Sequence, residues 1–182
     1  MTLRRFLIST TVPAALAACF LASPALAQSS TRMEGMTLSN DKPIQIESDQ
    51  LEIQDTEKKA YFTGNVRVVQ GTTTMRAGKM TVIYLGEGSS VTAGDTQIDK
   101  IFLEDTVHLT SGEQNATADN GEFEMASQTF VLTGKQVVLS DGPNVFRGCK
   151  LTVLMKTGEA KLNPCPSGRV QILLDPKSKP QQ

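Results

Sequence analysis

The chain has 182 residues, 39% of them hydrophobic, with 18 Lys and Arg against 19 Asp and Glu and a formal net charge of −1. Without a basic block it lacks the electrostatic footprint of a nucleic-acid binder. With one histidine and three cysteines it holds few of the groups from which hydrolytic triads and metal sites are built, and what remains is enough for one domain with its own core.

Residues 1–27 read as a secretory signal peptide. Arg4 and Arg5 open it, a small-residue apolar stretch follows, and Ala25-Leu26-Ala27 forms an A-x-A cleavage site. The apolar run is broken by Pro13 and is short for a membrane span. A competing reading takes Leu16-Ala17-Ala18-Cys19 as a lipoprotein site with Cys19 lipidated; against it, Phe20, Leu21 and Ala22 prolong the apolar run. The leader holds two Arg and no acid, so the 155 residues after it carry a net charge of −3. Residues 28–40 are polar and are expected to be flexible.

From residue 43 onward the pattern is that of strands. Pro43-Ile44-Gln45-Ile46-Glu47 alternates apolar and polar, and the apolar parity then shifts to Leu51 and Ile53, as a bulge near Ser48-Asp49 would cause. After a charged turn at residues 55–59, Ala60, Phe62, Gly64, Val66 and Val68 share one face. Met75 and Ala77, then Met80, Val82 and Tyr84 after a second shift, point the same way. Residues 86–90 form a glycine-rich loop whose G-x-G has no helix after it, so a hairpin is expected rather than a phosphate loop. Ile101, Leu103, Val107, Leu109, Ala116, Ala118, Phe123, Met125, Phe130, Leu132, Val138, Leu151, Val153 and Met155 continue the inward set. A last strand is expected over residues 169–174, and residues 177–182 read as a disordered tail. Nothing after the leader sustains helical spacing over ten residues, so the chain is read as all-β, with about a dozen or more short strands in a sandwich or rolled sheet.

A repeat underlies this pattern. Adding 70 carries Asp49 to Asp119, Thr63-Gly64 to Thr133-Gly134, Ile53 to Phe123 and Val68 to Val138; adding 41 carries Asn65-Val66-Arg67-Val68 to Thr106-Val107-His108-Leu109. Repeated alternating segments point to stacked hairpins with one continuous apolar inner face and two open ends.

Catalytic and metal chemistry is thinly represented. His108 lies between the inward Val107 and Leu109 and is expected to face outward as a solvated strand residue. There is no His-x-x-His, Cys-x-x-Cys or G-x-S-x-G motif, and neither a metal nor a cofactor is expected. An envelope hydrolase would need His108 or a carboxylate pair in a cleft. After the leader two cysteines remain, Cys149 and Cys165. Export permits their oxidation and the loop length suits a disulfide, although two separate buried thiols would also satisfy the sequence.

Lys42-Pro43-Ile44-Gln45-Ile46-Glu47-Ser48-Asp49-Gln50, followed by Phe62-Thr63-Gly64-Asn65-Val66 and Val69-Gln70-Gly71-Thr72, closely resembles the OstA-like family of periplasmic lipopolysaccharide-transport proteins. Phe130-Val131-Leu132-Thr133-Gly134 and Arg169-Val170 with Pro176 match its pattern too, so the resemblance spans residues 41–176. It implies a twisted, open β-jellyroll of antiparallel strands that holds the acyl chains of lipid A. It also implies head-to-tail self-association of N-terminal on C-terminal edge strand, and partners with related domains at the inner and outer membranes.

On this resemblance Ile44, Ile46, Phe62, Val66, Val68, Met80, Val82, Val107, Phe123 and Met125 are expected to contact lipid. Pro43, Ile44, Gln45 and Ile46 at one end, and Val170, Gln171, Ile172 and Leu173 at the other, are expected to form the joining edges. Cys149, Cys165 and the Asn163-Pro164-Cys165-Pro166 segment depart from the best-known members. Two alternatives stay open: an inner-membrane partner of the same fold that keeps its N-terminal apolar segment, and a periplasmic β scaffold that binds no lipid.

Overall fold

The computed structural model describes residues 38–39, 41–86 and 97–176. The expected signal peptide, Cys19, most of the 28–40 segment, residues 87–90 of the glycine-rich loop and the 177–182 tail lie outside the described residues. The elements are β1 Gln45–Glu47, β2 Gln50–Gln54, β3 Lys59–Gln70, β4 Thr73–Leu85, β5 Gln97–Glu104, β6 Val107–Ser111, β7 Gln114–Ala118, β8 Asn120–Glu124, β9 Thr129–Asp141, β10 Asn144–Leu154, β11 Glu159–Asn163 and β12 Gln171–Leu173. They form one 12-stranded sheet in which the pairings are antiparallel, as the fold class required.

The pairing resolves this sheet into two layers. One runs β2, the first part of β3, the second part of β4, β5, β8, the first part of β9, the second part of β10, and β11. The other runs β1, the rest of β3, the rest of β4, β6, β7, the rest of β9, the rest of β10, and β12. Four long strands, β3, β4, β9 and β10, therefore belong to both layers and bend where their outer partners break.

Each bend carries a glycine. A side chain on Gly64 would collide with Asp49, on Gly78 with Asp105, on Gly134 with Asp119 and on Gly148 with Leu162 and the Asn163 carbonyl. All of these lie at the breaks between outer strands, so the glycines let those breaks close onto the long strands. At Gly64 the backbone is also left-handed, with φ 78°, and Asn65 follows at 47°.

Inward side chains of both layers meet in one apolar cluster that includes Val66, Val68, Met80, Val82, Val107 and Phe123, with Ile44, Ile46, Phe62 and Met125 packed against it. Phe123 and Phe130 meet ring to ring at 6.3 Å with a 51° tilt, within the range favoured by aromatic pairs.

Several expectations need correction. The strands are not uniformly short: β4 and β9 each have 13 residues. Val138 does not point inward; Val137 and Leu139 do, because β9 bulges at its bend and shifts the parity beyond it. The final strand covers Gln171–Leu173 only, and Val170, expected on the edge, lies before it. Pro43 and Ile44 likewise precede β1. Leu38 is buried although the residues around it read as polar, and Gln70 clamps the chain beside it. The Gln70 side-chain oxygen accepts from the Ser39 N–H at 2.8 Å, and its amide donates to the carbonyls of Ser39 and Lys42 at 2.8 and 2.9 Å.

The repeat is present in three dimensions. β1–β3, β2–β3, β3–β4, β4–β5 and β4–β6 pair as β7–β9, β8–β9, β9–β10, β10–β11 and β10–β12 do. The chain is thus two six-strand halves sharing one core. The shorter offset of 41 has a different origin: Asp105 and Thr106, at φ 63° and 66°, repeat the paired left-handed turn of Gly64 and Asn65.

Candidate lipid-facing interior and its edges

The inward residues expected to contact lipid are brought together, and they fall into two groups. Val66, Val68, Met80, Val82, Val107 and Phe123 are buried in the centre of the cluster. Ile44, Ile46, Phe62 and Met125 are half-buried at its margin. Among the described residues the buried polar side chains are Gln70, Thr73, Ser111 and Gln114, with no charged one among them. All four lie at the far ends of β3, β4, β6 and β7, where Thr73 and Ser111 share a 3.2 Å hydrogen bond. The cluster itself is aliphatic, Met and Phe, a lining whose attraction for other apolar matter is non-directional and adaptable.

This apolar seam runs across the strands from one edge of the sheet to the other. At the N-terminal edge β1 and β2 each pair on one side with β3; at the C-terminal edge β11 and β12 each pair with β10. Most of the large exposed hydrophobics among the described residues lie there: Leu51 at 52% and Ile53 at 36% on β2, Ile172 at 57% and Leu173 at 68% on β12, with Leu174 beside them; Leu85 and Leu154 are exposed at the ends of β4 and β10. Sequence reasoning placed Leu51 and Ile53 inward by parity but could not see that they end the core uncovered. Cys149 and Cys165 form a disulfide with Cα atoms 4.8 Å apart, joining the bend of β10 to the segment between β11 and β12.

The outer face is polar with short apolar interruptions. A cross-strand row runs Glu52, Tyr61, Thr81, Phe102, Glu122, Val131, Thr152, Lys161. Its middle lines a shallow groove of about 540 Å³. Lys100 bonds Glu124 at 2.8 Å and approaches Glu122 at 3.8 Å. The Glu124 contact raises the Lys100 pKa, and Lys100, then the Ser127 hydroxyl, lower that of Glu124. Tyr84 donates to Asp55 at 2.6 Å; that bond and burial push its phenol up to about 12. His108 is exposed and faces outward, opposite Arg76 and Thr117. Among the described residues no group of three or more His, Cys, Asp or Glu side chains is placed to hold a metal.

The architecture is a two-layer antiparallel jellyroll whose apolar seam ends at two edges that are unpaired among the described residues. Residues 45–159 match the family model described as LptA/(LptD N-terminal domain) LPS transport protein. The chain is 31% identical over 144 residues, 78% of it and 75% of the relative, to the lipopolysaccharide export system protein LptA of Escherichia coli (strain K12). It is 59% identical over 167 residues, 91% of it and 89% of the relative, to an uncharacterized protein of Rhizobium meliloti (strain 1021). Its fold matches the crystal structure of LptH, the LptA-homologous periplasmic component of the lipopolysaccharide transport device of Pseudomonas aeruginosa. The TM-score is 0.63 at 17% identity, covering 75% of this chain and 97% of that one. The chain belongs to the LptA/LptD N-terminal family of lipopolysaccharide-transport proteins, as the opening and closing motifs implied.

Proposed function

We propose that this protein is exported by a cleaved signal peptide over residues 1–27, binds lipopolysaccharide through its lipid A acyl chains, and passes it between inner- and outer-membrane transport complexes. Copies joined head to tail by their edge strands extend the path. It does this without catalysis, metal or cofactor. The observation that carries this reading is the seam of uncharged, mostly aliphatic side chains that reaches both unpaired edges. An acyl chain in water is unfavourable by about 0.8 kcal/mol per exposed CH₂. A continuous apolar lining lowers that free energy along the whole route, and the absence of a polar lock at its centre keeps release easy.

The buried centre, with Phe123 at 0% exposure, makes the test sharp, because lipid reaches it only when the two layers part. A photo-crosslinking amino acid at position 123 in cells is expected to give a lipopolysaccharide adduct. One at position 67, where Arg67 faces outward and pairs with Glu47 at 3.3 Å, is expected to give none. A folded, exported protein with no adduct at position 123 would instead make the seam ordinary core and the protein a scaffold.

A further inference from the structure

The two halves of the chain meet at a joint in which β5 pairs β8 and β6 pairs β7. Its register sets Leu103 opposite Gly121, Phe102 opposite Glu122 and Ile101 opposite Phe123 in one layer, and Leu109 opposite Ala116 in the other. Strand for strand, the two ends of the chain reproduce the two sides of this joint. Leu162 sits on Leu151 as Leu103 sits on Met80, and Ile172 sits on Phe146 as Leu109 sits on Met75. Leu51 sits on Phe62 as Gly121 sits on Leu132, and Ile46 sits on Val68 as Ala116 sits on Leu139. Among the described residues, β11 and β12 are therefore a β5–β6 pair without its neighbour, and β2 and β1 are a β8–β7 pair without its neighbour.

Resting on the head-to-tail reading above, we infer that a second copy of this chain docks its β2 and β1 on β11 and β12 in the register of the internal joint. Leu162 then faces the second copy's Leu51, Ala160 faces Ile53, Lys161 faces Glu52 and Ile172 faces Ile46. The chemistry agrees at each position. The inward places pair apolar with apolar and cover the exposed Leu51, Ile53 and Ile172, while the outward place pairs opposite charges. A slip of one residue turns every side chain to the wrong face. A slip of two sets Glu159 against Glu52 in one direction, and in the other moves Lys161 onto Gln54, so charge selects the register. Side-chain size is compensated as well: Gly121 lies beside Phe130 in the internal joint, whereas Leu51 lies near Ala60, which holds the position of Phe130 in the first half.

The disulfide has a place in this arrangement. In the first half the short connector from β5 to β6 is held to the bend of β4 by the Gly78 N–H donating to the Asp105 carbonyl at 3.0 Å and by a Lys79–Asp105 ion pair at 2.9 Å. Cys149 follows Gly148 as Gly78 follows Ala77, and Gly148 sits opposite Val137 as Ala77 sits opposite Val66. Cys165 lies in the longer connector from β11 to β12. The covalent link thus stands where the first half uses weaker contacts, and it keeps β11 and β12 aligned as one acceptor edge before any partner arrives.

The test joins sedimentation of the full exported protein with mapping of a photo-crosslinking amino acid at position 161. Concentration-dependent assembly with adducts on residues 50–54 of the neighbour is the expected result. Lys161→Glu is expected to weaken assembly several-fold, and adding Glu52→Lys to the same chain to restore it. Cys149→Ser with Cys165→Ser is expected to weaken assembly at least tenfold while circular dichroism keeps its β signature. Adducts centred elsewhere in an assembling protein, or charge reversals without effect, overturn the register alone. Unchanged assembly of the double serine variant overturns the role of the disulfide. A species that stays monomeric at all concentrations overturns the head-to-tail reading itself.

Discussion

The half formed by β1–β6 and the half formed by β7–β12 follow one plan, yet corresponding positions meet different fates. Phe123 on β8 is covered by β5 and Phe130 packs on it. Ile53, its counterpart on β2, has no strand outside it among the described residues and stays 36% exposed, with Ala60 where Phe130 would be. The same pleat position is core in one half and rim in the other. The repeat sets which way a side chain points, and the neighbouring strand sets whether it is buried.

The comparison is sharpest at this pair. Phe123→Ala is expected to lower the stability by about 3–5 kcal/mol through lost burial and a cavity. Ile53→Ala, at the rim, is expected to lower it by about 1 kcal/mol or less. Urea unfolding of the two variants measures the difference, and equal losses would mean that the edge of β2 is as tightly packed as the joint.

A smaller contrast lies at the bends. Asn65 is left-handed and donates to the Asp49 carboxylate at 2.8 Å, whereas Lys135, its counterpart by the 70-residue offset, serves Asp119 only through its backbone N–H at 2.7 Å. Asn65→Ala should therefore lose about 1–2 kcal/mol from αL strain and the missing bond. Lys135→Ala should stay within about 0.5 kcal/mol of the parent. Thermal unfolding of the pair decides; a loss at position 135 to match would show that its side chain also holds the bend.

Alkaline pH should separate the halves most gently. Tyr84 and Met155 hold equivalent places, each donating its backbone N–H to a left-handed turn residue, Lys58 and Gln128. Only Tyr84 titrates. Its folded pKa of about 12 lies above the usual value near 10, so its contribution is fully present below pH of about 10 and fades as pH rises towards 12. Spectrophotometric titration should show Tyr84 ionising late. Tyr84→Phe should flatten the alkaline decline in stability, and an unchanged decline would place its cause elsewhere.

Much of this was legible because a half-buried strand writes its orientation into alternate residues. Met75 and Ala77, then Met80, Val82 and Tyr84, disclosed both the inward face of β4 and its bend at Gly78. The Asp49 and Asp119 copies disclosed the two halves. Val138 was misplaced because the bulge of β9 changes the parity through spacing alone, with no residue type that announces it. Leu38 was hidden in a mostly polar stretch. Its clamp, Gln70, works through the backbone of Ser39 and Lys42, which leaves no pattern in composition. β12 is too short for periodicity to bound it.

The four long strands that run through both layers have a mechanical consequence. Were the layers to separate by a change of bend at Gly64, Gly78, Gly134 and Gly148, the ladder hydrogen bonds on either side would stay intact. A widening of this kind would resemble a clasp and keep hydrogen bonding nearly constant. Backbone amides of β3, β4, β9 and β10 should then stay protected from exchange while the methyl groups of Val66, Val82 and Leu132 gain mobility, a compliance seated in the interior and invisible along the backbone.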